Sequence, residues 1–187
     1  MWKTVLIFLL AAATFCAAET ATTLAGDLTQ QVLQTAKTNR SKAAVLFFVT
    51  TDCPISNRYA PEINRICRDY EKRGAAFFII QVGKTLTEKS ADNHKREFGF
   101  TCPVLIDRTH KLVKLCGAKV TPEAAIVSPQ GKLLYCGRID DSYARWGQMR
   151  AQPGKRDLRV ALDAVLAGQP VPVASTVAIG CYIEDAS

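Results

Sequence analysis

Two nearly continuous apolar runs constrain this chain more than anything else in it: AAVLFFV at 43–49 and AAFFIIQV at 75–82, broken only by Gln81. A strand with one wet face alternates apolar and polar residues, and these do not alternate. Each therefore reads as a strand covered on both faces. The flanking segments supply the cover. Asp27 can cap a helix with Leu28, Val32, Leu33 and Ala36 on one stripe, and Ile55, Tyr59, Ile63, Ile66, Cys67 and Tyr70 recur at helical spacing. A polar segment from Leu86 to Phe98 reads as a helix, CPVLID as a short strand, and HKLVKLCG as a short helix stopped by Gly117. EAAIVS and KLLYCGRI, joined by the turn SPQGK, read as a hairpin. A polar loop follows from Asp140 to about Lys155, then a last helix that Asp157 caps, over about 157–167, with Leu158, Ala161, Leu162, Val165 and Leu166 on one face. The tail 168–187 carries Pro170 and Pro172 and looks mobile. Alternating strands and helices closed by a hairpin and a helix predict an α/β sandwich with a mixed central sheet.

The first residues read differently. Met1-Trp2-Lys3 precedes the apolar run TVLIFLLAAATF, and small residues stand at Ala17 and Ala18. A basic start, a short apolar core and a small-residue exit are the signature of a secretory leader, here residues 1–18. The run is shorter than the roughly 20 residues a spanning helix needs. Phe15 is too large for the position before a lipidated cysteine. Export to a periplasmic or secreted location is the expectation, with 19–187 as a single domain whose core runs from about 40 to 138. The formal charge of +7 is spread along the chain with no long basic block, so a generally basic surface is expected and nucleic-acid binding is not.

Of seven cysteines, Cys16 leaves with the leader. Cys53, Cys67, Cys102, Cys116, Cys136 and Cys181 remain, and an exported chain can pair them in ways sequence alone does not choose. No C-x-x-C occurs and only His94 and His110 supply imidazoles, so a structural zinc site is not expected. Cys53 stands out by position. It sits between a buried strand and the first turn of a helix, where unpaired N–H groups and the helix dipole favour thiolate. Pro54 suits the first helical position, whose N–H has no intrahelical partner. A small buried residue in a helix cap is the plainer alternative.

DCPISNRYAPEINRICRDY resembles the active-site helix of the thioredoxin superfamily, with Ala60-Pro61 where that family carries its kinking proline. GAKVTPEAAIV resembles the family's second landmark, a glycine followed by a Thr-Pro step into a strand. The resemblance implies a thioredoxin-like sandwich with helices on both faces of a mixed sheet. It also implies a cis Pro122 packed beside Cys53 and a Thr121 backbone able to bind an extended substrate. GRIDDSYARWGQ, the last helix and the closing IGC-Y-I are similar to exported redoxin-domain proteins related to the peroxiredoxin-like AhpC/TSA family. Two departures matter. Ser56 replaces the second cysteine of C-x-x-C, so the neighbouring residue cannot release a mixed disulfide. Thr50 matches the peroxiredoxin hydroxyl three residues before the reactive cysteine, whereas Leu46 stands where that motif has proline. Arg138 is a candidate for a thiolate-stabilising arginine, against a solvated charge at a strand end.

A partner for Cys53 must come from elsewhere. Cys67 lies roughly 21 Å along an intact helix, far beyond the roughly 4.4–6.8 Å Cα spacing of a disulfide. Cys116 and Cys136 read as buried thiols or halves of a structural bridge. Cys181, in its Gly-Cys tail context, is preferred over Cys102, which follows a glycine-containing loop; an inert, ordered Cys181 is the alternative. The expected activity is that of a thiol oxidoreductase whose Cys53 attacks a peroxide or a disulfide. An external thiol would serve as reductant, no bound cofactor or metal is implied, and nothing specifies an oligomeric state. A disulfide-stapled, redox-inactive binding module and a copper-handling domain are the competing classes.

Overall fold

The computed structural model describes residues 27–184. The expected leader, 1–18, lies outside the described residues, as do 19–26 and 185–187. Five strands form the central sheet: β1 (Ala43–Val49), β2 (Ala75–Val82), β3 (Val104–Asp107), β5 (Glu123–Val127) and β6 (Leu133–Gly137), in the order β3-β2-β1-β5-β6. A short β4 (Val120–Thr121) lies outside it. β2 and β3 run parallel to their neighbours, whereas β5 pairs antiparallel with both β1 and β6. This is the mixed sheet of a thioredoxin-like fold.

The two-sided burial read from AAVLFFV is realised residue by residue. Val45, Phe47 and Val49 join a core with α2 (Pro54–Glu71) and α5 (Asp157–Leu166), while Ala44, Leu46 and Phe48 face α1 (Leu28–Thr38) and α4 (Lys111–Cys116). Period-two alternation thus divides one apolar strand between two cores. α3 (Glu88–Glu97) packs near β3 at the parallel edge, its Thr87 cap bonded reciprocally with Ser90. Among the described residues no helix is long and apolar enough to cross a membrane.

Local chemistry fixes the ends of these elements. Asp27 accepts from Thr29 N at 3.1 Å to cap α1, and Gly117, at φ 70°, ends α4 in the left-handed region that glycine enters without strain. Asp107, at the end of β3, accepts from the backbone N–H groups of Lys111, Leu112 and Val113, satisfying three donors at the start of α4.

Three expectations need correction. Asp157 is the first residue of α5 rather than its cap; its carboxylate is taken by Arg138, at 2.7 Å, so it cannot fold back on the helix. The polar loop after Asp140 contains a small hairpin, β7 (Tyr143–Arg145) with β8 (Gln148–Met149), turned at Gly147. The tail is not loose. Past Gly168 it docks beside β6, with Cys136 N donating to Ala174 O at 3.0 Å and Thr176 N donating to Cys136 O at 3.3 Å. It ends in β9 (Cys181–Tyr182), which pairs antiparallel with β4. Its prolines shape an extended path rather than free it.

Gly137 is where the tail presses hardest on the sheet, since a Cβ there would overlap the Thr176 hydroxyl and backbone. Gly137→Ala is expected to cost about 1–3 kcal/mol by overpacking, read by chemical denaturation. The same change should increase proteolytic cleavage in 169–180, because the tail must move away to make room.

Candidate active site

β1 delivers the chain to the site. After Val49 a turn of three residues leads to Cys53, which is the N-cap of α2 with φ −82° and ψ 109°. Its Sγ accepts from Ser56 N at 3.4 Å, so the sulfur takes the role a serine or aspartate oxygen plays in an ordinary cap. Pro54 follows in the first turn, and the helix continues through Pro61. On its other side Cys53 Sγ donates to the carbonyl of Thr121 at 3.0 Å. The Thr121–Pro122 bond is cis. Glu123, buried, accepts from Lys119 N at 2.7 Å and Val120 N at 3.3 Å and so holds the loop that carries Thr121.

The tail completes the site. In the β4–β9 pair Thr121 stands directly opposite Cys181, and Ile183 N donates to Lys119 O at 2.9 Å. Gly180 passes so close to the Thr121 carbonyl that a Cβ would overlap it. This register brings Cys181 beside Cys53, near enough for each thiol to shift the acidity of the other. The two residues lie 128 positions apart and meet because one strand edge is shared. Thr121, expected to receive an extended substrate, here pairs with the chain's own tail. Cys53 is 1% exposed beneath it, whereas Cys181 remains partly open to solvent.

The two sulfurs are electrostatically unequal. Burial is the largest influence on Cys53 and opposes its ionisation, yet donors from Cys181, Ser56 and Thr121 together outweigh it and hold the thiol below its ordinary value. The Ser56 hydroxyl is buried without a partner of its own, placed to donate once the sulfur is charged. Cys181 moves the opposite way, pushed up to about 12 by burial and then by its contact with Cys53. Of the two, Cys53 is the thiol held toward ionisation and Cys181 the one held toward its protonated form.

The remaining predicted residues divide. Thr50 Oγ1 lies 3.2 Å from Thr121 Oγ1, tying the turn before Cys53 to the cis-proline loop. Pro122 lines a small cleft with Tyr59, Arg138, Asp140, Tyr143 and Ile179. Arg138 reaches the rim of that cleft, but its guanidinium is committed to Asp157 by two bonds, at 2.7 and 3.2 Å. Cys102 is not brought to Cys53. It precedes β3, two strands from β1, and its thiol contacts Cys67 instead. Cys116 and Cys136 are buried on the opposite face of the sheet. Among the described residues no group of three His, Cys, Asp or Glu side chains is spaced to hold a metal ion.

The AhpC/TSA family model matches residues 5–136, which includes the Cys53 helix and the Thr121–Pro122 loop. The chain belongs to the AhpC/TSA family. The thiol-disulfide oxidoreductase ResA of Geobacillus thermodenitrificans is 30% identical over 96 residues, covering 50% of this chain and 53% of that protein. ResA of Geobacillus kaustophilus is 26% identical over 94 residues, with the same coverage of both chains. The chain thus spans about half the length of the curated relatives it matches. An uncharacterized conserved protein of Geobacillus kaustophilus superposes with a TM-score of 0.67 at 30% identity, covering 76% of this chain and 77% of that one. A putative thiol:disulfide interchange protein DsbE of Chlorobium tepidum shares the fold, with a TM-score of 0.53 at 17% identity over 70% of this chain and 84% of its own.

One part of this AhpC/TSA site was missed in the sequence. His94, buried on α3, bonds through Nε2 to Asn57 Oδ1 at 2.8 Å and through Nδ1 to Gln81 Nε2 at 3.0 Å. Gln81 donates, so Nδ1 accepts and Nε2 carries the proton toward Asn57. Asn57 Nδ2 in turn donates to Thr51 O at 3.1 Å, bracing the turn before Cys53. The available signal was Gln81, next to last in an otherwise apolar strand: a buried amide needs partners.

Two measurements follow. The rate of Cys53 alkylation against pH should have its midpoint below that of an ordinary thiol, and Ser56→Ala should move it upward; an unchanged midpoint would remove the hydroxyl from the account. Burial holds His94 below its ordinary 6.5. The unfolded chain therefore binds this proton first, and stability present above 6.5 is lost as pH falls toward the lower folded value. His94→Ala should abolish that slope and cost about 1–3 kcal/mol through the unpaired Asn57 and Gln81, both read from denaturation curves across pH.

Proposed function

We propose that this protein is an exported thiol–disulfide oxidoreductase in which Cys53 is the nucleophile and Cys181 its resolving partner. The observation that carries the reading is the contact between the two thiols across the Thr121–Cys181 register, with the acidity arranged so that Cys53 attacks. Similarity to ResA-type thiol-disulfide oxidoreductases supports disulfide over peroxide as substrate. Export rests on the leader-like first residues.

The cycle balances in two exchanges. Cys53 thiolate attacks one sulfur of a substrate disulfide, forming a mixed disulfide and expelling the other sulfur as a thiolate, which takes up a proton. Cys181 then loses its proton and attacks the Cys53 sulfur, forming the Cys53–Cys181 disulfide and releasing the substrate's second thiol. An external dithiol returns both cysteines to thiols at the cost of its own oxidation. Because β9 covers Cys53, the first step requires the two-residue β4–β9 pair to part. The substrate then meets the Thr121 edge and the cleft beside Pro122.

Thr50 supports a peroxide branch, in which Cys53 is oxidised to a sulfenic acid, water is released, and Cys181 condenses with it, releasing a second water. Both branches end in the same disulfide. They differ in what C181S accumulates: a mixed disulfide with substrate in one, a sulfenic acid in the other.

C181S incubated with a disulfide-bearing protein should accumulate a Cys53-linked adduct, and C53S should form none. Oxidised wild-type protein should yield a peptide cross-link between Cys53 and Cys181 by non-reducing mass spectrometry. Recovery of Cys53 as an unmodified thiol after treatment with both disulfide and peroxide would end the proposal.

A further inference from the structure

The contact between Cys67 and Cys102 has no place in that cycle. Cys67 lies on the buried stripe of α2 and Cys102 on the loop leading into β3, both in the core on the α2 face of the sheet. Their exposures are 2% and 7%, they sit in the same core cluster, and each thiol lies near enough to shift the acidity of the other. One helical turn earlier, Asn64 Nδ2 donates to Phe98 O at 3.2 Å, fastening α2 to the start of the same loop. A side-chain clamp at 64–98 and a sulfur contact at 67–102 therefore hold one seam closed. Thr101 and Pro103, on either side of Cys102, are exposed, so the buried sulfur lies one residue from solvent.

We propose that Cys67 and Cys102 close into a second disulfide, a structural staple between α2 and the β3 approach, separate from the Cys53–Cys181 couple. The chemistry requires an oxidant, and the class is an external disulfide such as an exported chain meets while folding. Cys102 is the end that reacts first. The Cys67 thiol donates to it and holds it below an ordinary thiol against the opposing effect of burial, while the same contact, with burial, pushes Cys67 up. Cys102 thiolate attacks the external disulfide and releases one thiol. Cys67, deprotonated, then attacks the Cys102 sulfur and releases the second. Two protein thiols become one S–S bond as one disulfide becomes two thiols.

This bond cannot substitute for the catalytic one. Cys67 is far along α2 from Cys53, and Cys102 lies two strands from β1. Both sulfurs are enclosed by the core, so once formed the bridge resists exchange with substrate. Its loop joins residues 67 and 102, enclosing the whole of β2 and α3. Constraining that length of chain in the unfolded state is the source of the expected stabilisation.

The test uses the whole protein. Reduced, unfolded protein is refolded with glutathione disulfide, then unfolded again in the presence of an alkylating agent and digested without reductant. A peptide cross-link between Cys67 and Cys102 is expected, and it should persist at a dithiothreitol concentration that opens Cys53–Cys181. In the C53S/C181S variant, strong reductant should lower Tm by on the order of 10 °C. The C67A/C102A variant should show no such reductant-dependent shift. Recovery of both cysteines alkylated from oxidised wild-type protein would overturn the staple, whatever the state of Cys53 and Cys181. A cross-link from either cysteine to any other partner would do the same. The mapping needs only wild-type protein, so a variant that fails to fold does not blunt it.

Discussion

β1 is buried along its whole length by side chains on both faces, and the position of everything at the site follows from that burial. Seven residues without an exposed side chain cannot shift register or slide without moving apolar groups into water. The end of β1 is consequently a fixed point, and Cys53 hangs from it by a three-residue turn. The partner strand β5 pairs directly with β1 and follows the cis peptide at Pro122, so the second half of the site is held by the same sheet. Helix and loop meet at the sulfur because both are anchored to one rigid pair of strands.

On that frame the backbone of Thr121 acts as a shared joint. Its carbonyl accepts from Cys53 Sγ, its hydroxyl lies against Thr50, and its strand edge receives Cys181. Placing the tail on this edge has two effects. It places a second thiol near Cys53, in a site where Ser56 stands in place of a neighbouring cysteine. It also occupies the Thr121 edge and leaves Cys53 buried beneath β9. The polar chain from Gln81 through His94 and Asn57 to Thr51 braces the opposite side of the same turn.

Much of the fold was legible because its strands are unusually apolar and its helices carry clear stripes. The Cys53 cap was legible too, because strand, cysteine and proline follow one another locally. The hairpin at 143–149 was not, since its strands are only three and two residues long and largely exposed, too short to show an alternation. Asp157 looked like a cap because sequence cannot show that Arg138 already holds its carboxylate. The ordered tail was hidden for a related reason: two prolines and small residues describe an irregular path equally well when it is docked and when it is free. His94 registered only as a scarce imidazole, because its two bonding partners, Asn57 and Gln81, come from separate segments.

The sequence by itself determined the two-faced sheet, the helices that cover it, the capped cysteine and the resemblance that points to a redoxin. These depend on periodicity and on residues adjacent in the chain. Only the tertiary structure decided which sulfurs meet. Cys53 with Cys181 and Cys67 with Cys102 are contacts made by strand order and tail path, and spacing along the chain carries no trace of either. The relative acidity of each thiol belongs to the same category, because burial and hydrogen-bond donors are supplied by segments that come together only on folding.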